Sequence, residues 1–133
     1  MTKLTLRIDF DADRAIGPGK IKLLEMIDEY RSISEAGRQM GMSYRRAWLL
    51  VDSLRRSFRA PIIVSQKGGQ HGGGASLTEF GHAVVRHYRA IESAAEKAGA
   101  AHIEALSAAL AKRTRQAGKI TGAKTRRLAR SAR

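Results

Sequence analysis

The sequence has no cysteine and no long apolar run, and these two absences exclude several classes of protein. Without thiols there are no disulfide bonds and no thiolate metal sites, a composition typical of a reducing compartment. The opening MTKLTLRIDF lacks an apolar core of signal-peptide length, and no stretch approaches the length of a membrane span. We therefore expect a cytoplasmic protein. Its 133 residues, 43% of them apolar, predict one domain with its own core at about residues 1–110.

Acidic residues are also absent from the last part of the chain. Residues 112–133 hold nine of the 25 basic residues and none of the 12 acidic ones, so most of the net charge of +13 lies there. This segment lacks Trp, Phe and Tyr, which leaves it no apolar wedge for a bilayer and makes nucleic acid the better polyanionic partner. We predict a disordered basic tail at 111–133. Its candidate phosphate contacts are Lys112, Arg113, Arg115, Lys119, Lys124, Arg126 and Arg127.

What is present is a helix-turn-helix pattern at residues 32–58. Ser34 is the expected N-cap of a short helix running to about Met40, and Gly41 supplies the left-handed residue that ends it. Ser43 is the expected cap of a second helix. Its apolar stripe, spaced i, i+3, i+4, i+7 and i+11, consists of Ala47, Leu50, Val51, Leu54 and Phe58. A helix that packs on one side and shows arginines on the other is typical of a recognition helix in the major groove of DNA.

The polar face of this second helix supplies candidate DNA contacts. Its first turn can reach base edges, and because arginine can bond both O6 and N7 of guanine, Arg46→Ala should cost about 1 to 3 kcal/mol of selectivity. A merely solvated face is the alternative. Trp48 is expected to pack half-buried rather than stack on a base. The predicted DNA-binding residues are Ser34, Ser43, Tyr44, Arg45, Arg46, Leu49, Arg55 and Arg56, with Lys67, Gln70 and His71 on the glycine-rich segment.

The flanking segments predict the other elements. Alternation over residues 4–10 indicates a short strand, and apolar residues from Ile21 to Tyr30 indicate a first helix. The runs 62–66 and 75–77 bracket KGGQHGGG, which predicts a hairpin with a flexible tip. Thr78 should cap a long helix. Unbroken to Leu110 it would be ~48 Å long, so either Gly99 breaks it or another subunit covers it.

These elements predict a mainly α fold with a small β-hairpin wing. In this winged helix-turn-helix the wing flanks the recognition helix. If another subunit covers the long C-terminal helix at about 78–110, that helix makes a dimer. The predicted dimer contacts are Val84, Tyr88, Ile91, Ala95, Ile103 and Leu106.

No pattern predicts catalysis or a cofactor. The five glycines of residues 67–74 are not followed by the Gly-Lys-Ser/Thr of a phosphate loop. The four histidines lack metal-ligand spacing, and no nucleophile, base and orienting group stand together. We expect no enzyme, no cofactor and no metal.

The runs SISEAGRQMGMSYRRAW and GGGASLTEFG, with their spacing, resemble the N-terminal DNA-binding domain of the ModE family of molybdenum-responsive transcription regulators. A more distant similarity is to the LysR-type winged helix. The resemblance covers roughly Leu4 to Leu106 and implies a dimeric repressor or activator in a bacterial cytoplasm, with dimer contacts through the last long helix. Family members continue into molybdate-binding domains where this sequence has its basic tail, so the resemblance does not imply molybdate binding.

The sequence thus predicts a sequence-specific, dimeric transcription regulator that binds double-stranded DNA in the nucleoid. No small-molecule effector is evident. One alternative is a nucleoid-associated architectural protein that relies on its basic tail. Another is an adaptor that docks on a second protein through the alanine-rich helix.

Overall fold

The order of helices and strands is that of a winged helix. A computed structural model describes residues 2–66 and 74–113. Its elements are β1 (Ile8–Asp9), β2 (Ala15–Ile16), α1 (Pro18–Tyr30), α2 (Ile33–Gln39), α3 (Tyr44–Ser57), β3 (Ile63–Gln66), β4 (Gly74–Leu77) and α4 (Glu79–Ala108). The predicted fold class is therefore confirmed: mainly helical, with a small antiparallel hairpin and a long C-terminal helix.

Helix α1 provides much of the core. Pro18 stands at its first position, where a fixed φ favours the helix and the missing N–H costs nothing. Ile21, Leu24 and Ile27 are fully buried, as their spacing predicts. Tyr30, the last residue of the same stripe, is 39% exposed because the helix ends there, at a left-handed Arg31 whose N–H bonds the carbonyl of Ile27 at 2.8 Å.

The N-terminal strand is shorter than its alternation predicts and has a partner that the sequence did not reveal. Only Ile8–Asp9 is a strand, and it pairs antiparallel with β2, with Ile8 opposite Ile16. The turn between them is closed by the carboxylate of Asp11, which accepts from the backbone N–H of Asp13 at 3.0 Å and of Arg14 at 2.8 Å. This hairpin precedes α1 directly.

The cap of α2 was predicted two residues too late. The extended residue is Ser32, and its hydroxyl accepts from the N–H of Glu35 at 3.1 Å. Ser34 already lies inside the first turn, exposed, with its hydroxyl 3.4 Å from that of Ser32. The predicted cap at Ser43 is confirmed, since its hydroxyl accepts from the N–H of Arg46 at 3.1 Å. Gly41 has the expected positive φ of 72°.

The wing is an antiparallel pair, as predicted. Ile63 lies opposite Leu77 and Ser65 opposite Ala75, and the backbone N–H of Ala75 bonds the carbonyl of Arg31 at 3.0 Å. That bond fixes the hairpin against the end of α1. Leu77 and Ala75 turn their side chains into the core.

Helix α4 begins where predicted and continues further than its glycine suggests. The hydroxyl of Thr78 accepts from the N–H of Gly81 at 2.9 Å, which confirms the cap. Tyr88 is fully buried, and its hydroxyl donates to the carbonyl of Leu6 at 2.7 Å. Gly99 lies within the helix, so the helix does not end there.

The chain divides into two compact units, Met1–Ala98 and Gly99–Arg133. The first contains the winged helix and its hydrophobic core. The described part of the second is residues 99–113. Within the described ranges, no helix is both long and apolar enough to cross a membrane.

Candidate nucleic-acid interface

Helix α3 is held by one buried face. Ala47, Val51 and Leu54 have no exposed surface, whereas Leu50 and Phe58, the other two members of the predicted stripe, are half-buried at its margins. The contact with α2 is close, because a Cβ added at Gly37 would lie 2.8 Å from the Cβ of Ala47. Glycine at this position allows the two helices of the motif to cross at short distance.

The opposite face of α3 points to solvent and is chemically mixed. Arg45, Leu49, Asp52 and Arg56 are all exposed, with Leu49 57% accessible. The Asp52 carboxylate forms an ion pair with Nε of Arg56, one helical turn away, at 3.1 Å. The Arg45 guanidinium has no hydrogen bond or ion pair within the described ranges. This face therefore offers one free bidentate donor and one apolar side chain near the helix N-terminus.

Two aromatic side chains and an arginine contact one another on the side of α3 that faces the wing. The rings of Tyr44 and Trp48 meet edge to face at 6.1 Å, and the guanidinium of Arg55 lies 5.6 Å from the centre of the Trp48 ring. Arg55 also donates to the hydroxyl of Ser65 in β3 at 3.3 Å. Trp48 is half-buried, and Arg55 links the predicted recognition helix to the wing.

The other flank of α3 faces the N-terminal segments. Arg46 lines a cleft together with Arg7, which precedes β1, and Lys20 in α1. No sequence pattern connected Arg7 or Lys20 with the helix-turn-helix, because the three residues stand far apart in the chain. The position of Arg46 differs from that of Arg45 by 100° around the helix, so the two arginines face different surroundings.

The first helix of the motif carries its own charges. The pKa of Glu35 is lowered by a hydrogen bond from the Gln39 side chain and by the guanidinium of Arg38. The Arg38 side chain is thereby turned along α2. Ser34 is exposed next to Glu35 and remains a predicted DNA-binding residue.

Part of the predicted site lies outside the described residues. This holds for Lys67, Gln70 and His71 at the wing tip, and for the tail residues Arg115, Lys119, Lys124, Arg126 and Arg127. Lys112 and Arg113 are described and exposed.

The predicted dimer contacts divide into two groups. Val84 and Tyr88 are buried in the core of this chain, so their burial needs no second subunit. Ile91 is 46% and Leu106 73% exposed, while Ala95 and Ile103 are half-buried. Among the described residues, no group of three or more His, Cys, Asp or Glu could hold a metal ion.

Comparisons with known proteins give a consistent group of relatives. No family model matches the chain. The chain is 36% identical over 87 residues to the molybdenum transport protein ModE of Azotobacter vinelandii, and 37% identical over 83 residues to the molybdenum-pterin-binding protein MopA of Rhodobacter capsulatus. It is 31% identical over 81 residues to the DNA-binding transcriptional dual regulator ModE of Escherichia coli K12. These matches cover 65%, 62% and 61% of this chain.

The chain spans only about a third of the length of these relatives, namely 32%, 31% and 31%. Among solved structures, full-length CbnR complexed with its target DNA has a TM-score of 0.48 and 18% identity, over 63% of this chain and 27% of that one. The N-terminal ~65% of this chain is thus similar in sequence to ModE transcriptional regulators.

Proposed function

We propose that this chain is a sequence-specific, DNA-binding transcription regulator whose helix α3 reads bases in the major groove. The observation that carries the proposal is the exposed face of α3, which presents the exposed Arg45 and the apolar Leu49 on a helix whose opposite face is buried in the core. Arginine recognises guanine through two acceptors, and an apolar side chain can contact the methyl group of thymine. The two residues lie one helical turn apart, which suits neighbouring base pairs.

The position of the wing supports the proposal that α3 lies in the major groove. Because Arg55 is engaged by Trp48 and Ser65, helix and hairpin are linked on the side facing β3. A hairpin fixed beside a recognition helix can follow the DNA backbone or enter the next minor groove. The names of the relatives also favour regulation, since one is described as a DNA-binding transcriptional dual regulator. They favour it over the architectural alternative, and regulators of this kind are not enzymes.

We further propose that the regulator acts as a homodimer in the bacterial cytoplasm, at the nucleoid. Helix α4 exposes Ile91 in the first unit and Leu106 in the second, apolar side chains that a second copy can cover. A two-fold dimer would present two α3 helices to half-sites in successive major grooves. We do not extend molybdate or pterin binding to this chain, since it spans only a third of the relatives whose names mention them.

The test begins with selection of bound duplexes from a random-sequence DNA pool by the purified full chain. Arg45→Gln should then reduce the preference for the selected operator over a scrambled duplex by about 1 to 3 kcal/mol, because it removes a bidentate base contact. Binding of the scrambled duplex should fall only by the loss of one charge. The measurement is fluorescence anisotropy on both duplexes.

Arg86→Gln is the matched control, since Arg86 is an exposed arginine on α4 that lines a groove with Glu25 and Asp28. It should leave operator preference unchanged. Recovery of no common sequence from the pool, or equal loss on both duplexes with Arg45→Gln, would contradict base reading by α3.

A further inference from the structure

Three cations from distant parts of the chain line one cleft. Arg7 comes from the segment before β1, Lys20 from the first turn of α1 and Arg46 from the first turn of α3. The cleft has a volume of about 250 Å³, and residues 15–19, Met42 and Leu50 form its other walls. No acidic residue among the described ones lines it. A space of this size, with walls of this charge, suits an oxyanion group.

Lys20 is held in place by neutral acceptors. Its ammonium donates to the carbonyl of Ala15 at 2.9 Å and to the hydroxyl of Ser53 at 3.0 Å. An ammonium has three N–H donors, so one remains for a ligand. Because Ser53 belongs to α3, Lys20 also joins α1 to the recognition helix. Burial, followed by repulsion from Arg7, lowers the pKa of Lys20.

The two arginines have donors to spare as well. Arg46 is exposed, and within the described ranges its guanidinium makes no hydrogen bond or ion pair. Arg7 uses its Nε in an exposed ion pair with Asp9 at 2.8 Å, which leaves the N–H groups of its two terminal nitrogens. Arg7, Lys20 and Arg46 therefore each keep N–H donors that no hydrogen bond or ion pair within the described ranges uses.

The position of the cleft beside α3 indicates which anion. A helix with its side chains is about 10–12 Å across and fills a major groove about 12 Å wide. If Arg45 and Leu49 face the bases, then Arg46, 100° away around the helix, faces a wall of the groove. That wall is the phosphate backbone.

We propose that the cleft of Arg7, Lys20 and Arg46 binds one phosphate of the DNA backbone, which makes the N-terminal hairpin part of the DNA interface. This inference rests on the proposed docking of α3 in the major groove. It assigns Arg46 to the backbone, in place of the base contact expected from its position in the sequence. It also adds Arg7 and Lys20, which the helix-turn-helix pattern does not include.

The test compares charge-matched neighbours. Lys20→Gln should weaken binding of operator and scrambled duplexes by the same factor, about tenfold, since a hydrogen bond to a charged group is lost with the charge. The slope of log affinity against log salt should become shallower by about one. Lys22→Gln removes the same charge two residues away, on the other side of α1, and should leave both quantities nearly unchanged.

Because Lys20 also bonds Ala15 and Ser53, Lys20→Gln can disturb the fold, and a second variant without such bonds is needed. Arg46→Gln changes a side chain that makes no hydrogen bond or ion pair within the described ranges. It should likewise weaken binding of both duplexes equally, whereas the adjacent Arg45→Gln should reduce operator preference. Thermal unfolding monitored by circular dichroism checks each variant. If Arg46→Gln affected only operator preference, Arg46 would be a base contact and the proposal would be wrong.

Neutral methylphosphonate linkages, placed singly along the operator, then locate the phosphate. At one position, the neutral linkage should lower the affinity of the unmodified protein for the operator. The same linkage should have little further effect on the affinity of Lys20→Gln, since both changes remove the same contact. Absence of any such coupled position overturns the proposal. Titration of inorganic phosphate, followed by NMR of the Lys20 side chain, tests a free anion as the occupant. Phosphate binding that is lost in Lys20→Gln while DNA affinity is retained would assign the cleft to that anion instead.

These outcomes separate the cleft from the function on which it rests. Suppose that the protein binds its operator, that Arg45→Gln reduces operator preference and that Lys20→Gln does not change DNA affinity. The regulator function then stands, and the proposal that the cleft binds a phosphate is refuted. If the protein has no preferred DNA sequence, the regulator function is refuted. The effect of Lys20→Gln on binding of the scrambled duplex then still tests phosphate binding by the cleft.

Discussion

Gly81→Ala should strongly destabilise the first unit, although alanine is the better helix former. A Cβ at this position would overlap the carbonyl oxygen of Ile62 and would lie 3.2 Å from both Ile62 Cγ2 and Leu77 Cβ. That carbonyl accepts two hydrogen bonds from Thr78, from its N–H at 2.9 Å and from its hydroxyl at 3.2 Å. The first turn of α4 and the start of the wing must therefore separate.

The magnitude follows from three contributions to the free energy of unfolding. Weakening two hydrogen bonds costs about 1 kcal/mol each. Overpacking costs about 1 to 3 kcal/mol, and the helix propensity of alanine over glycine returns about 1 kcal/mol. The net destabilisation is about 2 to 4 kcal/mol, which lowers the melting temperature of a unit this size by on the order of 10 °C or more.

Urea unfolding followed by fluorescence measures this effect, because Trp48 is the single tryptophan and lies in α3. Gly99→Ala is the matched control in the same helix. Its Cβ would meet only Ile103 Cδ1, at an ordinary 3.7 Å, so this variant should not lower the unfolding midpoint. Equal midpoints for the two variants would refute the close approach of α4 to the wing.

Two further predictions concern the crossing of α2 with α3 and the exposed face of α4. Gly37→Ala should destabilise by about 1 to 2 kcal/mol through its contact with Ala47, and adding Ala47→Gly should remove most of the extra cost. Additive effects in urea unfolding of the double variant would contradict that contact. Leu106→Glu should shift the chain from dimer to monomer in sedimentation velocity, because it places a charge on a 73% exposed apolar side chain proposed to meet a second copy. Ala101→Glu, exposed and about 140° around the helix, should not. A chain that is monomeric without any substitution would refute the dimer.

Local sequence signals predicted most of the architecture. The α3 stripe, the Ser43 and Thr78 caps and the left-handed Gly41 each depend on spacings of a few residues, which secondary structure converts directly into position. The wing strands followed from β-rich runs around a glycine cluster. Ser32 replaced Ser34 as the cap of α2 because two serines compete there, and only the backbone conformation decides which one is extended.

Contacts between distant residues were not predictable in the same way. Pairing of β1 with β2 depends on a turn closed by Asp11, and alternation over residues 4–10 could not indicate where pairing stops. Val84 and Tyr88 share the apolar spacing of Ile91 on α4, yet they lie in the hydrophobic core, where the hydroxyl of Tyr88 bonds the carbonyl of Leu6 in the N-terminal segment.

The sequence by itself determined a winged helix-turn-helix with a capped recognition helix, since periodicity and capping are properties of neighbouring residues. Only the tertiary structure placed Arg46 away from the outward face of α3 and beside Arg7 and Lys20. No local rule relates three residues in separate segments of the chain. Their meeting is decided by how α1 and the N-terminal hairpin pack against α3, and hence by the core that they share.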